Sequence, residues 1–210
     1  MHSITPPSTT PLPARRRFSF DLKDLVLIVV LGVVFGFLYW ALVQASAGLT
    51  LLMGPFGDLS SHLLFGGWLI VAPIAVAIIR RPFAGILAEV IAGGVEVVFL
   101  GSTAGPMLFL VAAIQGLGSE LPFALRRYRS FSWLTYACSG LLGAGLAFAV
   151  SAFRFGWYGQ DFFVIRLIVQ LLSGLILGGL LARKTVNALA KTGVVDNYAI
   201  GRDQPTAEGA

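Results

Sequence analysis

Six long, sparsely charged apolar stretches follow one another along this chain, at residues 25–47, 63–79, 83–100, 106–125, 131–153 and 162–182. Each is close to the roughly 17–25 residues that carry an α-helix across the hydrocarbon core of a bilayer. The stretches run on without apolar–polar alternation, which selects helices over the strands of a closed barrel, the other structure that pairs all its backbone groups in lipid. Composition agrees. Of 210 residues, 57% are hydrophobic and 12% charged, with a mean hydropathy of +0.84, against about 25% charged in an ordinary soluble domain. The expected fold is all-α, an integral membrane bundle of six transmembrane helices.

The direction of the bundle follows from its basic residues. With the N-terminus in the cytoplasm, Arg15, Arg16, Arg17, Lys23, Arg80, Arg81, Arg126, Arg127, Arg129, Arg183, Lys184, Lys191 and Arg202 all fall on the inner side. Only Arg154 and Arg166 remain, out of fifteen Lys and Arg. That is the asymmetry of the positive-inside rule, and an odd number of spans would scatter it. Both termini are thus expected in the cytoplasm of a prokaryotic cell, with the chain multi-pass in the cell membrane. The net charge of +5 follows from these inner loops and calls for no nucleic-acid partner. Residues 1–20, rich in Pro, Ser and Thr, are expected to form a disordered cytoplasmic tail. Residues 21–190 would form the membrane domain and 191–210 a second cytoplasmic tail. The outer loops, 48–62, 101–105 and 154–161, are short.

Polar groups inside the spans are the candidate functional residues, because an ionisable side chain there costs several kcal/mol unless paired or hydrated. Glu89 and Glu96 stand seven residues apart, on one face of the third span. Gln115 lies mid-span in the fourth helix and Gln170 in the outer-to-middle part of the sixth. Tyr39 and Trp40 come near the outer end of the first span and Trp68 in the outer half of the second. These depths converge on a pocket open to the outside, with aromatic walls and an acidic floor. Blander roles stand beside the functional ones: Tyr39, Trp40 and Trp157 suit an interfacial aromatic belt, and Glu89 suits a hydrogen-bonded structural carboxyl. Glu120, near the inner surface, would pair with the Arg126 cluster or lock helices together, and Arg166 would meet Asp161 or a pocket carboxylate. Pro73 is expected to kink the second span.

Signatures of catalysis are missing from the sequence. Its histidines are His2 and His62, its one cysteine is Cys138, and it shows neither zinc-ligand spacing, a nucleophile–base pair nor a phosphate-cradling glycine loop. The expectation is a protein that is not an enzyme and needs neither cofactor nor metal. Gly32 and Gly36 form a small-xxx-small pair that lets a second helix approach closely, within the chain or from a partner.

Several segments carry a resemblance to a known family. Leu31-Gly-Val-Val-Phe-Gly-Phe-Leu-Tyr-Trp40, Phe65-Gly-Gly-Trp68, Ile78-Ile-Arg-Arg-Pro82, Ala88-Glu89 with Glu96, Gln115-Gly-Leu-Gly-Ser-Glu120, and Leu189-Ala-Lys-Thr-Gly-Val194 with Gly201-Arg202 resemble the YkoE type of substrate-binding S component. Such proteins belong to energy-coupling-factor (ECF) transporters. The resemblance implies a six-helix subunit that captures thiamine or its hydroxymethylpyrimidine precursor from outside. It implies as partners a transmembrane T component and two ATP-hydrolysing subunits, with Gly32 and Gly36 as the surface meeting the T component. On that reading Glu96 would meet the pyrimidine edge or a cation, and Trp40 and Trp68 would stack. Gln115 and Gln170 would hydrogen-bond, with Tyr39 and Glu89 completing the pocket. An S component for another small vitamin or amine, a polytopic membrane enzyme and an assembly subunit are the rival readings.

Overall fold

A computed structural model describes residues 20–101 and 105–201. The N-terminal tail, Arg15 to Arg17 and Arg202 lie outside the described residues. Among those described, the chain is entirely helical: α1 (Leu22–Met53), α2 (Leu59–Leu64), α3 (Val71–Ile79), α4 (Ala84–Val98), α5 (Met107–Leu125), α6 (Trp133–Phe155), α7 (Phe163–Ser173) and α8 (Ala182–Lys191). A 3₁₀ stretch, Phe65–Leu69, joins α2 to α3, and a π-helical stretch, Gly174–Leu181, joins α7 to α8. Five continuous helical segments are long and apolar enough to cross a membrane: Leu22–Phe56, Leu59–Ile79, Met107–Leu125, Trp133–Phe155 and Phe163–Lys191. The remaining expected span is α4. Its 15 residues, at about 1.5 Å each, reach roughly 22 Å, short of the ~30 Å hydrocarbon core.

The helices run further than the apolar stretches alone suggest. Apolar Leu49, Leu51 and Leu52 carry α1 past residue 47, and polar α8 prolongs the last span beyond residue 182. The segment expected as an outer loop at 48–62 is therefore mostly helix. Pro73 sits in the first turn of α3, where its missing N–H is tolerated, and the break it accompanies is the 3₁₀ stretch just before it.

Position in the bundle follows from what each helix can bury. Every residue of α3 is buried, with Ile74, Val76 and Ile78 packed on Phe123 and Tyr136. Its run of Val, Ala and Ile suits a central helix that meets protein on all sides. α1 is peripheral, with Val26, Val30, Val34 and Phe37 exposed and its contacts mostly to α4. From α4 the bundle continues to α5, α6 and then the π-helical stretch. There Gly140 and Gly174 touch backbone to backbone, and a Cβ on Gly174 would lie 2.5 Å from that of Ala144.

The basic loops gather at one end. Arg81 bridges Asp21 and Asp24 at the start of α1, at 3.1 and 2.9 Å. The Lys23 ammonium donates to the Asn197 carbonyl at 2.7 Å, and Arg183 donates to the Phe131 carbonyl. Residues 192–201 fold back against this end, with Val195 buried beside Ile78 and Val186. At the opposite end Arg166 meets Asp58 and, at 2.6 Å, Gln160. It bonds to neither Asp161 nor a pocket carboxylate.

Candidate functional site

The spacing of two helices builds the site. Glu89, Gly93 and Glu96 fall on one face of α4, and Leu108, Ala112 and Gln115 on one face of α5; both triplets have spacings of four or seven, one and two turns. Where the faces meet they border a partly open cavity of about 120 Å³, lined also by Tyr39 of α1 and Trp68 of the 3₁₀ stretch. Small side chains at the crossing make the room: a Cβ on Gly93 would come 3.1 Å from that of Ala112. Glu89, Glu96, Gln115 and Tyr39 are all buried, Glu89 fully so. The Tyr39 hydroxyl lies 3.1 Å from both carboxylate oxygens of Glu89 and donates to them. The void thus pairs two carboxyls and an amide with a phenol and an indole. It can receive hydrogen-bond donors and a cation from a flat, nitrogen-bearing ring.

Five of the seven expected site residues meet at this cavity: Tyr39, Trp68, Glu89, Glu96 and Gln115. Trp40 and Gln170 do not. Trp40 is 41% exposed on the outer face of α1, turned away because its neighbour Tyr39 takes the inward position. Gln170 is buried, but its amide bridges His62 Nδ1 at 2.6 Å and the Ala144 carbonyl at 3.0 Å. His62 is itself buried among Phe148 and Trp157, not in a loop, because α2 begins three residues before it. Trp157 belongs to this aromatic cluster, and Arg166 stacks over its ring.

Glu120 answers a different need. Its carboxylate accepts from the backbone N–H groups of Phe83, Gly85 and Ile86 at 2.6, 3.0 and 3.2 Å, and from the Tyr128 hydroxyl at 2.7 Å. Phe83 precedes α4 in the left-handed region, φ 70°, and offers no side-chain cap. Glu120 therefore satisfies the open N–H groups of that helix start from the neighbouring helix. Burial, with the adjacent carboxylate, pushes the Tyr128 hydroxyl well above its ordinary range. Of the two sequence alternatives, Glu120 is the helix lock.

Gly32 and Gly36 pack within the chain, one of the two alternatives the sequence leaves open. Both glycines are buried against α4, and a Cβ at Gly32 or Gly36 would lie 2.7 Å from the Cβ of Ile91 or of Val95. They bring α1 close to the helix that carries both acids. Sequence inspection also missed Gly93 and Ala112. Their signal is their spacing: Gly93 lies between Glu89 and Glu96, and Ala112 stands one turn before Gln115 on the same face.

The profile of the family described as "ABC-type cobalt transport system, permease component" matches residues 23–147. A curated relative, "Putative HMP/thiamine permease protein YkoE" of Bacillus subtilis (strain 168), is 32% identical over 187 residues, 88% of this chain and 92% of the relative. The chain belongs to the YkoE-type family of ECF-transporter S components. A solved structure, "Crystal structure of an S-component of ECF transporter", superposes with a TM-score of 0.80 at 32% identity, over 88% of this chain and 93% of the other. The chain is accordingly a transmembrane transport component. Among the described residues no group of three or more His, Cys, Asp or Glu is placed to hold a metal ion.

Proposed function

We propose that this protein is the substrate-capturing subunit of an ATP-driven importer and takes up thiamine or hydroxymethylpyrimidine from outside the cell. The observation that carries this reading is the convergence of Tyr39, Trp68, Glu89, Glu96 and Gln115 on one small void. An aminopyrimidine presents ring nitrogens that accept and an exocyclic amine that donates, which Gln115 and Glu96 can read together. Trp68 supplies a face for stacking. Tyr39 orients Glu89, which then serves as a second carboxyl toward the ring or holds Tyr39 in place. The void also suits the size. At about 120 Å³ it is of the order of the ~150 Å³ protein cavity known to take benzene, so it has room for one ring, with the ring's substituents reaching its open side.

On this reading the chain crosses the membrane six times. α4 serves as the short third span, flanked by α1 and α5, and the basic end of the bundle faces the cytoplasm. ATP is hydrolysed by two partner subunits and not by this chain, and a transmembrane T component couples them to it. Among the small residues of α1 open to such a partner are Ala41 and Ala45, which line an apolar groove of about 410 Å³ with Leu38, Gly67 and Leu177. They replace Gly32 and Gly36 as the proposed contact. Isothermal titration of the purified chain with hydroxymethylpyrimidine, thiamine and an unrelated vitamin tests the reading. Saturable binding of either of the first two supports it. Binding of the unrelated vitamin alone, or of none, rejects the assigned substrate.

A further inference from the structure

Trp68 borders a second void as well as the first. This second one is a widely open outer chamber of about 510 Å³, lined by Ser46, Ala47, Thr50, Asp58, Ser60 and Ser61 among others. A chain of hydroxyls crosses its wall: Ser60 Oγ lies 3.3 Å from Ser46 Oγ and 2.6 Å from Thr50 Oγ1, and Thr50 donates to the Ser46 carbonyl at 2.9 Å. The chamber's carboxylate, Asp58, is already paired with Arg166. The indole thus lines both the small acidic void and a larger, mostly apolar one whose polar groups are hydroxyls and a paired carboxylate.

The backbone beneath the indole is held firmly. The Gly66 N–H donates to Ser173 Oγ at 2.9 Å, and that hydroxyl donates to the Leu63 carbonyl at 2.6 Å. No Cβ fits at Gly66, because it would run into the Ser173 carbonyl. A ligand that reaches past this point therefore has to displace the side chain of Trp68, which is only partly buried.

We propose that Trp68 divides a two-compartment site and sets its selectivity for ligand length. This rests on the substrate class assigned above. A one-ring aminopyrimidine occupies the inner chamber alone. A ligand that joins this ring to a second, cationic ring bearing a hydroxyl tail displaces the indole and spans both chambers. Its charge then meets the indole face, since Asp58 is neutralised, and its tail meets the Ser46, Thr50 and Ser60 hydroxyls.

The test fills the outer chamber without touching the inner one. Ala47→Phe and Ser61→Phe each add a ring at an exposed position on the outer wall. Binding of hydroxymethylpyrimidine and of thiamine is measured for the unmodified chain and both variants, with the melting temperature as a check on folding. The expected result is a loss of roughly tenfold or more in thiamine affinity in at least one variant, with hydroxymethylpyrimidine unchanged within about twofold. Equal losses for both ligands, or no loss of thiamine binding in either folded variant, overturn the division while leaving the substrate class standing. Binding of neither ligand by the unmodified chain overturns the substrate class and the division with it.

Discussion

Glu120 on α5 and the Glu89–Glu96 pair on α4 are buried alike, yet the two regions use their carboxylates in different ways. Glu120 is surrounded by four donors, three from the start of α4 and one from Tyr128. Glu89 and Glu96 border a void, with the Tyr39 phenol placed on Glu89. Burial alone therefore does not distinguish a structural acid from a ligand-binding one. The distinction is whether the space beside the carboxylate is filled by the chain's own backbone or left as a void. Where it is filled, the group is part of the frame. Where the acid faces open volume, the frame has left room for something else.

The largest effect expected from this contrast is on stability. Glu120→Ala strips an acceptor from four donors at once, each costing about 1–3 kcal/mol if left unsatisfied in a buried site. Partial hydration at the end of the bundle lowers the total, and a net loss of roughly 3–5 kcal/mol is expected. Thermal unfolding in detergent should show a large drop in melting temperature, with ligand affinity of the molecules still folded little changed. A variant with unaltered melting would mean that α4 is not held from α5.

A smaller and opposite pattern is expected at the other acid. Glu96→Gln keeps the shape but removes a charged acceptor, worth about 1.5–3 kcal/mol in hydrogen bonding. Affinity for hydroxymethylpyrimidine should fall about 10- to 100-fold by titration, and the melting temperature of the empty protein should change less than in Glu120→Ala. If Glu96→Gln destabilised the empty chain as severely as Glu120→Ala, the contrast between the two regions would collapse.

Much of this was legible in the sequence because lipid leaves a chain few alternatives. Apolar stretches must be helices, and a carboxylate among them must have a partner or a ligand. The spacing of Glu89 and Glu96 and the depths of Tyr39, Trp68 and Gln115 were enough to bring five residues to one cavity. What was not legible depends on the rotation of each helix about its axis. Tyr39 and Trp40 are adjacent, so only one of them can face inward, and α1 is apolar all round, leaving no polar stripe to say which. Gly32 and Gly36 permit close packing without naming the helix that approaches, and here it is α4. Gln170 looked like a ligand because its partner His62 lay in a segment read as loop. The short length of α4 was hidden by Phe83 and Phe99, apolar residues that extend the run of hydropathy but stand outside the helix.

The central claim is that the void between α4 and α5 is where the substrate sits. Ala112→Leu tests it most directly, because that side chain grows into the cavity and removes no polar group. Equilibrium titration of the folded variant with hydroxymethylpyrimidine should show binding reduced at least about 100-fold. Affinity equal to that of the unmodified chain would contradict the account and place the substrate elsewhere.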